Sequence, residues 1–201
     1  MKERCLRLAV AWLVAACLLP AAKPALCAKK EPVRIAVVAG SNLGAGDERP
    51  LKYAEDDATK MSRVLTEVAG FDKGRVFAVL GHDRTALLDA MAKADRMVRD
   101  LAGEPSRKIL LLFYFSGHSD GLGLEFGDDM VEFSEVKDWL KKSPATVRMA
   151  VVDACHSGGF AEVTGGSPGP SLTLDLGNNS CTDGMAVINS SAAREKSLAS
   201  D

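Results

Sequence analysis

The chain reads as an α/β protein built on a mainly parallel central sheet with helices on both faces. Two observations predict this. Short continuous runs of β-branched, aliphatic and aromatic residues recur, each ending in small residues, as strands buried on both faces do. Between them lie stretches whose apolar residues return every three or four positions, as along one side of a helix. With 201 residues the chain is long enough for one sizeable domain. No internal repeat and no second domain shows in the pattern.

The elements follow in order. VRIAVVAG, 33–40, is a buried strand ending in Gly. Over 51–71, Ala54, Ala58, Met61, Leu65 and Val68 are spaced for a helix that Gly70 would close. RVFAVLG, 75–81, is a second strand, and Thr85 is positioned to cap a helix over 85–102. KILLLFYFSG, 108–117, is the strongest buried-strand signal in the chain. Residues 121–133 read as a short hairpin with GLGLEF and MVEF as its arms. A helix capped by Ser134 is expected over 134–142, then strands over 146–154 and 184–192. The segment 157–184 between those strands is rich in Gly, Ser and Pro and reads as loop.

The first thirty residues differ from the rest. Lys2, Arg4 and Arg7 precede the apolar run LAVAWLVAACLLPAA, after which KPALCAKK turns polar. This is the plan of a secretory signal peptide, residues 1–28, and the apolar run is short for a bilayer span. VAAC, 14–17, also resembles a bacterial lipoprotein signal, which would make Cys17 the lipidated N-terminus. The expectation is an exported protein, periplasmic or extracellular, that meets a membrane only if anchored through Cys17. A net charge of −2 shows neither the basic excess of a nucleic-acid binder nor an acidic tail. With Cys5, Cys17 and Cys27 in the leader, Cys155 and Cys181 remain. They are a candidate disulfide in an oxidising compartment.

Sheets of this kind place their sites where strands end and loops emerge. Two such ends carry chemistry: FYFSGHSDG and VVDACHSGG. His118 follows one buried strand and Cys155 follows the other. A thiol attacks as its thiolate, so an imidazole beside it is the partner it needs. Backbone N–H groups of Gly117 and Cys155 would then point at a tetrahedral oxyanion.

The paired blocks YFSGHSDG and DACHSGGF resemble those of caspase-like cysteine peptidases, in particular the bacterial caspase-family proteins and the metacaspases. The resemblance covers residue 33 to the end, 33–201, and implies a three-layer caspase-like fold acting on protein or peptide substrates without a cofactor. It implies that His118 is the general acid/base and Cys155 the nucleophile. Asp153, Ser116 and Asp57 match residues that line a pocket for Arg or Lys in metacaspases. Two buried carboxylates would select such a cation by pairing with it. The chain stops short of a further strand and helix usual in the family, so the C-terminal part reads as incomplete. Calcium activation, common among metacaspases, would need an acidic cluster, for which Asp128 and Asp129 are the candidates.

Other readings of the same residues are quieter. His156 reads as a packing residue of the motif, His82 as a surface residue, and Asp57 alone could be a solvated helix charge. His118, Asp153, Cys155 and His156 could in principle bind zinc, but no other ligand pair has metal-site spacing, and no metal is expected. VVAGSNLGAG, 37–46, fits a dinucleotide-binding spacing. Its glycines lead into DERP rather than directly into a helix, and no Tyr-x-x-x-Lys pair is present. A caspase-like module that binds without catalysing remains the alternative from another class.

Overall fold

A computed structural model describes residues 31–81, 84–104, 106–156, 160 and 184–190. The leader at 1–28 with Cys17, His82, Cys181 and most of the 157–184 loop lie outside these residues. The elements run β1 (Val33–Gly40), α1 (Ala54–Glu67), β2 (Val76–Leu80), α2 (Arg84–Ala102), β3 (Ile109–Gly117), β4 (Gly123–Phe126), β5 (Asp129–Glu132), α3 (Phe133–Lys142), β6 (Val147–Ala154) and β7 (Gly184–Asn189). Five of the strands form one sheet in the order β2-β1-β3-β6-β7. Every pairing in it is parallel. β4 and β5 form a separate antiparallel hairpin.

The most apolar runs take the middle of the sheet. β1 is buried from Ile35 onward and β3 along nearly its whole length. β2 and β7, at the flanks of the described sheet, are partly exposed. Side chains alternate across the sheet and feed two cores. Ile35, Val37, Leu111, Phe113 and Phe115 meet Leu87, Met91 and Val98 of α2 and Val136 and Leu140 of α3. Ala36, Val38, Leu112 and Tyr114 meet Ala58 and Leu65 of α1. The expected α/β architecture, with helices on both faces, is present.

Helix boundaries differ from expectation in instructive places. α1 ends at Glu67, and the chain then turns through Gly70 in the left-handed region, φ +72°. The Phe71 N–H returns to the Leu65 carbonyl at 2.9 Å, so the glycine closes the helix as expected. Thr85 is not a cap, because α2 already includes Arg84. Ser134 is not a cap either. α3 begins at Phe133, and Glu132 caps it in a reciprocal box with Glu135. The Ser134 hydroxyl instead donates to the Glu132 carboxylate at 2.7 Å.

The stretch 37–46 does not run into a helix. α1 starts at Ala54, beyond a loop tied at both ends. Ser41 donates its N–H to the Ser116 carbonyl at 3.0 Å, and Leu51 donates to the Asn42 carbonyl at 2.8 Å. The glycines therefore do not lead straight into the helix as the dinucleotide fingerprint requires. Gly40 has a packing reason of its own: a Cβ there would lie 2.5 Å from the Ala54 carbonyl oxygen. The start of α1 thus rests directly on the end of β1.

Candidate active site

The parallel pairing of β3 with β6 builds the site. Ser116 lies opposite Asp153, and Gly117 opposite Ala154. His118 and Cys155 are the next residue on each strand, so they leave the sheet side by side, with strands spaced about 4.8 Å apart. Both are half-buried. At Gly117 a Cβ would lie 2.5 Å from the Phe115 ring and 3.0 Å from the Ser41 carbonyl oxygen, so only glycine fits. After Cys155 the backbone turns at once: His156 has φ +53°, a left-handed conformation that histidine tolerates better than most residues. His156 is half-buried, and a Cβ on Gly121 would touch its own Cβ at 3.4 Å.

The end of β6 is fixed from its far side by β7. The Ser190 hydroxyl accepts the Ala154 N–H at 3.1 Å and donates to the Ala154 carbonyl at 3.3 Å, while the Ser190 N–H donates to Val152 at 3.1 Å. One side chain therefore holds both polar groups of the residue preceding Cys155.

His118 is gripped by the β1–α1 loop. Its Nδ1 lies 2.9 Å from a Glu48 carboxylate oxygen, and its Nε2 lies 3.2 Å from the Arg49 carbonyl oxygen. The His118 carbonyl accepts the Glu125 N–H at 3.1 Å. Glu125 is buried, and its carboxylate accepts the Ala45 N–H at 3.0 Å. Burial pushes the Glu125 carboxyl above the ordinary range, the Ala45 hydrogen bond opposes this, and the nearby Glu48 adds to it.

On the α1 side of the sheet edge, the residues expected to line a pocket come together. Ser116 is buried beside exposed Asp153. Beneath them Tyr114 is buried, and its hydroxyl is pushed up to about 12. Burial is the main cause, and the negative field of Asp153 adds to it; a hydrogen bond with Ser116 opposes the shift, and Asp57 contributes last. Asp153 and Asp57 therefore act on one phenol from two elements. The carboxylates are not buried as expected. Asp153 lies at an open edge, and Asp57, in the first turn of α1, is half-exposed and pairs with Lys60 at 3.0 Å. The reason is positional: the apolar cover of α1 ends where the strands end.

Asp128 and Asp129 lie at the tip of the β4–β5 hairpin, and Asp128 accepts the Gly46 N–H at 3.1 Å. Among the described residues no group of three or more His, Cys, Asp or Glu side chains is arranged to hold a metal ion. No described helix is long and apolar enough to cross a membrane. Sequence reasoning missed Glu48, the Arg49 carbonyl, Tyr114, Glu125 and Ser190. Of these, Tyr114 alone carried a signal, as a polar-tipped aromatic on the Ser116 side of a strand that is otherwise apolar.

A family model described as Caspase domain matches residues 33–200. No curated protein matches the chain.

Proposed function

The chain belongs to the caspase domain family, and from that premise we propose that it is a cysteine endopeptidase cleaving peptide bonds after arginine or lysine. The observation that carries the reading is the parallel register of β3 and β6, which sets His118 beside Cys155 at one sheet edge.

In this mechanism the Cys155 thiolate attacks the scissile carbonyl carbon, and the carbonyl π electrons move to oxygen. Backbone N–H groups of Gly117 and Cys155 receive the oxyanion. Collapse expels the amine, which takes a proton from His118, and leaves an acyl-thioester on Cys155. Water then gives a proton to His118 and attacks the thioester, and the thiolate returns with release of the acid. The substrate residue just before the cleaved bond enters between Asp153, Ser116 and Asp57. Its cation pairs with Asp153 and competes with Lys60 for Asp57. The basic start and apolar run of residues 1–28 support export, to the periplasm or beyond.

The test uses fluorogenic peptides that differ only at the residue before the bond, together with iodoacetamide labelling of Cys155. Cleavage after Arg and Lys, negligible cleavage after Asp, and loss of at least about a hundredfold in His118→Ala are expected. Labelling of Cys155 that does not respond to His118→Ala would overturn the dyad. Preferred cleavage after Asp would overturn the pocket and spare the dyad. A chain that binds peptides without cleaving them would be a recognition module.

A further inference from the structure

We infer that Glu48 is a positioning residue of this site, whose carboxylate works with the Arg49 carbonyl to hold the His118 imidazole by both ring nitrogens. The inference deepens the peptidase reading and rests on it.

The geometry begins with donor counting. The oxygens facing Nδ1 and Nε2, at 2.9 and 3.2 Å, are both acceptors. A neutral imidazole carries one N–H and satisfies one of them; the imidazolium carries two and satisfies both. The grip is therefore complete only on the protonated ring, which is the form that sits opposite a thiolate. The ring gives its proton to the leaving amine from Nε2, which parts from the Arg49 carbonyl to deliver it, while the Nδ1–H stays on the Glu48 carboxylate. When Nε2 later takes a proton from water, the imidazolium forms with its Nδ1–H already on the carboxylate, which stabilises the charge. Glu48 thus assists each step in which His118 acts as a base.

The carboxylate is delivered by a built loop and does not depend on a stray rotamer. The loop hangs on the β4–β5 hairpin through Ala45 N–H to Glu125 at 3.0 Å, Gly46 N–H to Asp128 at 3.1 Å, and Gly127 N–H to the Leu43 carbonyl at 3.1 Å. It is also tied to α1, where Asn42 and Glu55 exchange hydrogen bonds at 3.3 Å. Within the loop the Glu48 N–H returns to the Ala45 carbonyl at 3.3 Å. Gly44 measures how closely these parts meet. A Cβ there would lie 2.4 Å from a Glu48 carboxylate oxygen, 2.9 Å from His118 Cγ and 3.0 Å from a Glu125 carboxylate oxygen. Glu125 and Asp120 are the other acids whose charge is felt in this corner. Only Glu48 has its oxygen on a ring nitrogen.

The experiment compares wild type, Glu48→Gln and the surface control Glu67→Gln, which loses only a long contact with Arg63 on α1. The Gln variant keeps side-chain length and a hydrogen-bonding oxygen but loses the charge. At neutral pH the ¹⁵N resonance of His118 Nδ1 is expected to move in Glu48→Gln and to stay in the control. The kcat for an Arg peptide should fall about threefold to tenfold with KM unchanged, and Cys155 labelling should slow in parallel. An unmoved resonance overturns the inference and leaves the peptidase reading intact. A moved resonance with unchanged kcat and labelling overturns it too. A moved resonance in a protein that cleaves nothing, and whose Cys155 labels equally with His118→Ala, upholds the hold of Glu48 on the ring and sinks the peptidase reading instead.

Discussion

The two faces of β3 are made from alternate residues of one nine-residue strand, yet they end differently. Facing α2 and α3, Leu111, Phe113 and Phe115 remain apolar to the sheet edge. Phe113 meets Trp139 at 6.2 Å between ring centroids, and Phe115 meets Phe126 of the hairpin at 5.5 Å. Facing α1, the sequence Leu112, Tyr114, Ser116 grows steadily more polar and ends beside Asp153. The first face is roofed to its rim by two helices and a hairpin, so polarity there would be buried without partners. Among the described residues the second is covered by one helix, whose first turn carries Glu55, Asp56 and Asp57, and polarity there reaches the exposed Asp153. Structure and candidate recognition are thus divided by the period of two of a strand, with no separate segment for either.

If that division holds, substitutions on the two faces must differ in kind. The largest effect belongs to the apolar face. Phe115→Ala should cost about 3–5 kcal/mol of stability in urea unfolding. A cost below about 1 kcal/mol would mean that the rim of this face is not packed as described.

Tyr114→Phe, one residue away on the other face, should cost only about 1 kcal/mol, the worth of its hydroxyl's hydrogen bond. Its informative readout is tyrosinate absorbance. A phenol raised to about 12 in the fold and near 10 when unfolded contributes stability below pH 10 that is lost as pH rises toward 12. The wild-type minus variant spectrum should therefore show tyrosinate only near pH 12. Ionisation near pH 10 would remove Tyr114 from beneath the carboxylates and dissolve the contrast.

The smallest effect sharpens the boundary between the faces. The raised carboxyl of Glu125 contributes stability at low pH that is lost as pH rises through its folded value. Glu125→Gln keeps an acceptor for the Ala45 N–H and removes the charge. It should raise the melting temperature by about 2 °C at pH 7 and by nothing once the wild-type carboxyl is protonated. A gain at acid pH, or a loss at neutral pH, would show that the loop needs the charge.

Much of this was legible in the residues. Continuous runs rich in β-branched and aliphatic residues, broken off by small or polar residues, marked every strand of the sheet, since burial on both faces leaves few polar positions. His118 and Cys155 could be found because each closes such a run. Helix starts were harder. Thr85 and Ser134 are good capping residues in general, but at α3 the reciprocal fit of Glu132 with Glu135 displaced Ser134, and either pattern is compatible with the sequence. The grip on His118 was not legible at all. Glu48 sits in GAGDERP, which has no periodicity, and its partner at Arg49 is a backbone carbonyl that any residue would supply. Ser190 was equally hidden, because its clamp on Ala154 spans 36 positions and depends on the register of β7.

That every pairing in the central sheet is parallel also has a consequence in time. Parallel neighbours cannot be joined by a tight turn, so each pair waits on a crossover and on the entropy of closing it. β1 can pair with β2 and β3 as soon as those residues exist, but the strand ends before His118 and Cys155 pair only after the hairpin, α3 and β6 have been made and docked. Sheets dominated by such distant contacts assemble slowly. During synthesis the imidazole and the thiol are strangers on one thread. The chemistry proposed for the pair therefore waits on a fold that is nearly finished, and until then the growing chain carries a thiol without its proposed partner.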